Sequence, residues 1–265
     1  MTMLSRRALL FGGALLPAAT ACSRGGGDTV SDPDGGPAGE EDRRLIVFAA
    51  ASLTDVFEQV NAAFMADRPE VDVVMTTGGS SDLVTQIGQG APADVLATAD
   101  TETMDRAAQD GLIEDTPQLF ARNTLTIAVA PGNPEGITGL PDLADADLQV
   151  VRCAPQVPCG RVADEVIADT GASLRAVSEE NSVTDVLGKV TSGEADAGLV
   201  YVTDIVRSGG AADAVPIAGA DARATDYPIA AVHGTTVLDL AEEYVAYVRS
   251  GDAQALLADA GFGAP

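Results

Sequence analysis

The sequence contains very few of the residues that build metal sites and nucleic-acid interfaces. Its 265 residues include no tryptophan, one histidine and three cysteines, and aromatic residues make up only 4%. One histidine and so few cysteines cannot supply the usual zinc or iron ligand sets. Lysine and arginine total 15 against 40 acidic residues, which gives a formal charge of −25. This charge argues against nucleic acid and anionic lipid surfaces as partners, because both require a basic face.

Long hydrophobic runs are also absent. The apolar run at residues 8–21 is too short to span a bilayer as a stable helix. It follows Arg6 and Arg7, and this pair followed by leucines resembles a twin-arginine export signal. We predict an export signal over residues 1–21.

The segment that follows resembles a lipoprotein processing site. Residues 19–22 read Ala-Thr-Ala-Cys, with Ala19 at the position where leucine is usual. We predict that Cys22 is lipidated and anchors the chain to the outer face of the cell membrane. Residues 22–42 are rich in Gly, Asp and Pro and would form a flexible tether. The alternative is a plain secretory peptide, cut near Ala21, that leaves Cys22 free.

The other two cysteines lie close together in the sequence. Cys153 and Cys159 are six positions apart, and outside the cytoplasm such a pair is expected to form a disulfide. Two reduced, buried thiols are the alternative.

Strand-like and helical patterns alternate along the rest of the chain, which indicates an α/β fold whose mostly parallel sheets carry helices on both faces. The number of units favours two lobes, with one crossover near residues 121–123 and another near Gly234. We predict a first lobe of residues 43–122 and 235–265, and a second lobe of residues 123–234. Strands are predicted at residues 45–51, 71–76, 94–99, 124–130, 148–152, 174–178, 197–202 and 227–232.

Three of the predicted strands lead into helices through short polar junctions. Ser52, Ser80 and the pair Asn181-Ser182 stand at these points, each with Asp two or three positions on. Helix N-termini present unpaired N–H groups and the positive end of the helix dipole, so several aimed at one point would bind an anion. The alternative is that the residues at all three junctions are ordinary helix caps.

Enzymatic function has little support in the sequence. His233 is the only histidine, and no G-x-S-x-G motif accompanies it. We interpret His233 as structural and expect no enzyme. A secreted serine hydrolase using Ser52 or Ser80 with His233 is the alternative from a different functional class.

Five short motifs occur in order along the chain. They are FAAASLT at residues 48–54, GSSDL at 79–83, GAPADV at 90–95, VPCGR at 157–161 and GLVY at 198–201. Together they closely resemble the molybdate-binding proteins of ABC importers, which belong to the two-lobed class of periplasmic-binding proteins. The resemblance extends from Leu45 to the C-terminus, and the A-A-A-S-L and G-A-P-A-D phrases are its most specific parts.

The resemblance implies a set of ligand-binding residues that supply donors only. Ser52 and Ser80 would each contribute a hydroxyl and a backbone N–H. Cys159 and Val183 would contribute backbone N–H groups, and Tyr201 its phenol. Cys159 stands where the family commonly has alanine, which a backbone donor should tolerate.

The resemblance also implies a function. The chain would capture molybdate, and we expect tungstate as well, between its lobes without a cofactor and without binding metal except as the oxyanion. It would act as a monomer and pass the ion to a membrane permease driven by a cytoplasmic ATPase. A receptor for sulfate or another oxyanion is the alternative. Arg161 is expected to lie behind the pocket or to face solvent.

Overall fold

The structure is a computed structural model that describes residues 43–265. The predicted export signal, the tether and Cys22 lie outside the described residues. Within the described range the chain forms two five-stranded sheets, each flanked by helices. No helix in this range is long and apolar enough to cross a membrane.

The first lobe is built on a sheet with the strand order β2-β1-β3-β10-β4. Strand β1 pairs in parallel with β2 and β3, whereas β10 runs antiparallel to β3 and β4. Its strands are β1 (Arg43–Ala50), β2 (Val71–Gly78), β3 (Val95–Ala97), β4 (Gln118–Asn123) and β10 (Thr225–Ala231). Its helices are α1 (Thr54–Ala66), α2 (Ser80–Gly88), α3 (Thr101–Gln109), α7 (Leu238–Val248) and α8 (Gly251–Asp259).

The second lobe repeats this arrangement with the strand order β7-β6-β8-β5-β9. Again two pairings are parallel, and one strand, β5, runs against its neighbours. Its strands are β5 (Leu125–Val129), β6 (Val150–Cys153), β7 (Ala176–Glu180), β8 (Ala197–Tyr201) and β9 (Asp213–Pro216). Its helices are α4 (Pro158–Thr170), α5 (Val183–Thr191) and α6 (Val202–Arg207). Four of the five strands in each sheet therefore point the same way, and the predicted two-lobed α/β fold is confirmed.

One predicted boundary between the lobes is wrong. The chain leaves the first sheet after Asn123, at the predicted place, but it returns before Thr225 rather than near Gly234. Strand β10 belongs to the first sheet, where it pairs with β3 and β4. Its apolar sequence identified a strand correctly, but a local pattern contains no information about which sheet provides the partners.

The central strands β1, β3 and β10 of the first lobe are largely buried on both faces. Along β1, Val47 and Ala49 pack into the core beneath α1 and α7, whereas Phe48 packs with Leu83 of α2 on the other face. The predicted apolar stripe of α1 lies in the first of these cores. Burial on both faces explains why β1 reads as a continuous apolar run and not as an alternating one.

In each sheet an aspartate forms hydrogen bonds that anchor the N-terminal ends of the parallel strands. Asp94 precedes β3, and its carboxylate accepts hydrogen bonds from Ile46 N at 2.7 Å and Thr235 Oγ1 at 2.5 Å. Asp196 precedes β8 and accepts from Gln149 N at 2.7 Å. The aspartate of the G-A-P-A-D motif is therefore structural, because it anchors the N-terminal end of the sheet opposite the helix N-termini.

Candidate functional site

A small cavity lies where the two lobes meet, beside the first turns of several helices. Its volume is about 20 Å³, slightly more than one water molecule requires, so the cavity suits a small ligand. No charged side chain lines it in the part of the chain that the structure describes. The lining residues are Ala50, Ala51, Ser52, Gly78, Gly79, Ser80, Ala99, Val157, Pro158, Cys159, Asn181, Ser182, Val183 and Tyr201.

The structure brings all five predicted ligand residues to this one cavity. Ser52 and Ser80 come from the first lobe, and Cys159, Val183 and Tyr201 come from the second. They are separated by up to 149 positions in the chain, so only the closed arrangement of the lobes places them together. The cavity is therefore a shared product of both lobes.

Neither serine of the first lobe caps its helix, in contrast to the alternative considered above. Ser80 is the first residue of α2, whose N-cap is Gly79, and Ser52 lies inside a 3-10 turn at Ala51–Leu53 that leads into α1. Both side chains are buried. Ser80 Oγ accepts a hydrogen bond from Ala99 N at 3.2 Å. Its own proton remains available to a group in the cavity.

The second lobe contributes backbone donors from two helix N-termini. Pro158 is the first residue of α4 and has no N–H, while Gly160 N and Arg161 N both donate to the Val157 carbonyl at 3.0 Å. Cys159 N–H thus belongs to the unpaired first turn of the helix. On α5, Ser182 is the N-cap and accepts from Asp185 N, and this places Val183 N–H in the unpaired first turn as well.

Tyr201 adds a buried phenol whose hydroxyl has no hydrogen-bond partner among the described residues. The residue is 1% exposed, and an unpaired buried hydroxyl is costly unless a ligand satisfies it. Burial raises the pKa of Tyr201 well above its ordinary value, so the phenol keeps its proton and can donate. Its main chain is held by Asp204, whose buried carboxylate accepts from Tyr201 N at 2.9 Å.

The lobes contact each other closely around the cavity. Ser81 Oγ donates to the Gln156 carbonyl at 2.8 Å, across the gap between α2 and the loop before α4. Gly79 lies so near the second lobe that a Cβ atom there would be 2.2 Å from the Asn181 carbonyl oxygen. The structure thus represents the closed form of the two lobes.

Arg161 lies behind the cavity and joins the lobes. Its Nε donates to Asp100 Oδ2 at 2.9 Å, and a terminal nitrogen reaches Thr103 Oγ1 at 2.5 Å. Arg161 also donates to the Gln156 carbonyl at 2.6 Å. The Arg161 and Asp100 side chains are only 16% and 10% exposed. This arginine does not line the cavity, but it links α4 of the second lobe to the start of α3 in the first.

The disulfide predicted between Cys153 and Cys159 is present in the structure, with Cα atoms 5.7 Å apart. It ties the end of β6 to the first turn of α4. The short loop between them also approaches the helix closely, because a Cβ atom at Gly160 would be 2.0 Å from the Ala154 carbonyl oxygen. The bridge and this close contact together fix the position of the Cys159 N–H.

The serine hydrolase arrangement is not formed. His233 Nδ1 lies 2.6 Å from Glu114 Oε2, and the imidazole is 63% exposed. His233 lines a different cavity, at the base of the first lobe, from the one that Ser52 and Ser80 line. Within residues 43–265 no group of three or more His, Cys, Asp or Glu side chains is placed to hold a metal ion.

Sequence reasoning missed the polar residues that support the cavity from behind. Tyr227 OH lies 3.0 Å from Ser52 Oγ, and Asn123 Nδ2 donates to Thr203 Oγ1 at 2.7 Å and to Tyr227 OH at 3.4 Å. Tyr227 and Asn123 sit next to the two crossovers. The distance along the chain between these partners explains the omission, because no local motif connects them.

Comparison with known proteins agrees with this architecture. Residues 45–263 match a family model described as bacterial extracellular solute-binding protein. The chain is 43% identical over 237 residues to the molybdate-binding protein ModA of Mycobacterium tuberculosis, an alignment that covers 89% of this chain and 91% of the relative.

Solved structures share the fold. The periplasmic molybdate-binding protein of Azotobacter vinelandii superposes with a TM-score of 0.69 at 21% identity, covering 83% of this chain and 99% of that one. The sulfate-binding protein SubI of Mycobacterium tuberculosis superposes with a TM-score of 0.70 at 20% identity, covering 83% and 86%. With its two lobes, its shared cavity and these relatives, the chain belongs to the bacterial extracellular solute-binding protein family.

Proposed function

We propose that this protein is an exported receptor that captures molybdate between its lobes and delivers it to an ABC permease. The observation that carries the proposal is the convergence of uncharged donors from both lobes on one small cavity. The relative with 43% identity over most of both chains is named a molybdate-binding protein, and this specifies the ion.

The chemistry of the donors suits a fully deprotonated tetrahedral oxyanion. Such an ion accepts hydrogen bonds at every oxygen and donates none. Hydroxyls and N–H groups held in a buried cavity bind it strongly, because bonds to a charged acceptor gain strength where water is excluded. The proposed donors are the N–H and hydroxyl of Ser52 and Ser80, the N–H of Cys159 and Val183, and the phenol of Tyr201.

A local cluster of donors is needed because the molecule as a whole repels anions. The formal charge of −25 makes a dianion's approach unfavourable at long range. Salt screens that repulsion over roughly 8 Å at physiological ionic strength, whereas the donors act at contact distance. The helix N-termini add a favourable local field.

Tungstate and sulfate are the relevant competitors. Tungstate has nearly the size of molybdate, so we expect both to bind. Sulfate has the same charge and the same lack of protons, so the donor set alone cannot reject it and the size of the cavity must do so. A sulfate receptor is therefore the second candidate function.

Titration calorimetry with molybdate, tungstate and sulfate on the mature protein tests the proposal. We expect tight binding of molybdate and tungstate and at least about hundredfold weaker binding of sulfate, a difference of about 2.7 kcal/mol. Comparable sulfate affinity would replace molybdate by sulfate as the cargo. No binding of any of the three ions would remove the oxyanion site altogether.

Delivery requires the receptor to stay outside the cytoplasm and near the membrane. The export signal at residues 1–21 and lipidation at Cys22 would achieve this, with residues 22–42 as the tether. In this proposal a permease with its cytoplasmic ATPase receives the closed, liganded form, and the receptor acts as a monomer without a cofactor.

A further inference from the structure

A buried polar chain lies directly behind Ser52. Asn123, Tyr227 and Ser52 are 4%, 0% and 5% exposed, respectively. Asn123 Nδ2 lies 3.4 Å from Tyr227 OH, and Tyr227 OH lies 3.0 Å from Ser52 Oγ. Bulk water is therefore kept away from these groups, so each polar atom needs a partner in the protein or in the cavity.

The direction of the hydrogen bonds follows from the amide of Asn123. Its Oδ1 accepts from Thr124 N at 3.0 Å, which turns Nδ2 toward the hydroxyls of Thr203 and Tyr227. An amide nitrogen can only donate. Tyr227 oxygen consequently accepts from Asn123, and its own proton is free to bind a second group.

Ser52 Oγ lies 3.0 Å from Tyr227 OH, and we assign it as the acceptor of the Tyr227 proton. Once Ser52 accepts from Tyr227, its own proton has to point elsewhere, and Ser52 lines the cavity. Ser80 is polarised in a comparable way, because Ala99 N donates to its Oγ at 3.2 Å. Each serine hydroxyl thus accepts one hydrogen bond from the protein and can donate its own proton toward the cavity.

We propose that Tyr227, oriented by Asn123, is a positioning residue that fixes Ser52 as a hydrogen-bond donor to the ligand. The inference rests on the proposed function and deepens it. By holding Ser52 as a donor, Tyr227 favours oxyanions without protons over oxyanions that retain one, such as hydrogenphosphate, whose proton needs an acceptor. Tyr227 is in this sense a determinant of specificity without touching the ligand.

A double-mutant cycle between Ser52→Ala and Tyr227→Phe tests whether Tyr227 acts on the ligand through Ser52. Tyr227→Phe alone should weaken molybdate binding about fivefold, within the range for loss of one hydrogen bond between neutral groups. If Tyr227 acts through Ser52, adding Tyr227→Phe to Ser52→Ala should cost nothing further. Tyr227→Phe should also reduce the preference for molybdate over inorganic phosphate, measured by displacement of bound molybdate.

Tyr244→Phe is the matched control. Tyr244 is also a buried tyrosine of the first lobe, and its hydroxyl donates to Asn61 Oδ1 at 2.5 Å, within the core under α1 and α7. Loss of that bond should lower thermal stability without changing molybdate affinity. If both variants weaken binding equally, the effect of Tyr227 is general destabilisation and the proposal is wrong.

The remaining outcomes are also decisive. Wild-type molybdate affinity in Tyr227→Phe, or additive losses of affinity in the double variant, would overturn the positioning role of Tyr227 while leaving the proposed function intact. A wild-type protein that does not bind molybdate would instead overturn the proposed function. If Tyr227→Phe does not fold, Asn123→Ala goes through the same cycle, with an expected loss of about threefold that again vanishes in the Ser52→Ala background.

Discussion

Ser80 illustrates how a single side chain is prepared for a ligand. Its Oγ is occupied as an acceptor by Ala99 N, its N–H lies in the unpaired first turn of α2, and its side chain is buried. The sequence could predict that Ser80 lies at the cavity, because it stands between an apolar strand and a helix within a recognisable motif. The bond from Ala99, 19 positions further along the chain, could not be predicted because nothing local requires it.

At this scale we predict that Ser80→Ala weakens molybdate binding by about 1.5–3 kcal/mol, the range for bonds to charged groups. The methyl group of alanine cannot donate, and it leaves one ligand oxygen without its partner. Titration calorimetry measures the loss. Ser192→Ala, at the exposed C-terminal end of α5, should leave the affinity unchanged. An unchanged affinity in Ser80→Ala would remove this residue from the site.

At the scale of elements, eight of the ten strands that the structure describes in residues 43–265 were predicted and two were missed. The missed strands β4 and β9 are the edge strands on the same side of their two sheets. Gln118–Asn123 is half polar, and Asp213–Pro216 is short and ends in proline. Edge strands tolerate polar residues and proline because the backbone on one of their sides makes no hydrogen bonds with a neighbouring strand. Their sequences therefore lack the apolar signal that revealed the central strands.

The N-terminus of α2 provides a test of lobe closure at the same scale. Gly79→Ala should weaken molybdate binding at least fivefold, since overpacking costs about 1–3 kcal/mol and the new Cβ would meet the Asn181 carbonyl oxygen only when the lobes close. The unfolding temperature without ligand should change little. Gly88→Ala, at the other end of α2, is the control because its Cβ would contact only Leu112 at 3.8 Å.

Equal affinities for Gly79→Ala and the wild-type protein would mean that the liganded lobes do not come as close as they do in this structure. A lower unfolding temperature of Gly79→Ala without ligand would mean that the new Cβ clashes within the first lobe and not between the lobes.

At the scale of the whole molecule, the sequence predicted two lobes and one of the two crossovers. The error at the second crossover concerned β10, whose place in the first sheet is set by pairing with β3 and β4. The contacts between the closed lobes could not be predicted from the sequence either. Arg161 and Asp100 are 61 positions apart, and the sequence left open whether Arg161 faces solvent.

We predict that Arg161→Gln shifts the molecule toward an open form. The variant loses the ion pair with Asp100 and leaves a largely buried carboxylate without its cation. Molybdate affinity should fall about tenfold, and the decrease in radius of gyration on adding molybdate, measured by small-angle X-ray scattering, should become smaller. Arg223→Gln is the control because Arg223 pairs with Asp169 and Glu165 of α4 on an exposed surface. Unchanged compaction and affinity in Arg161→Gln would show that this ion pair does not hold the lobes together.

The uncharged lining of the cavity has a consequence for unloading. A dianion bound by a fixed cation would have to break an ion pair, or wait for a change in protonation, before it could depart. Under the proposed function the donors are amides and hydroxyls, because no charged side chain lines the cavity in the described part of the chain, and water can replace them once the lobes separate. A membrane partner that pulls the halves apart would thus empty the carrier by mechanical work alone, and the emptied carrier would need no chemical reset before its next cycle.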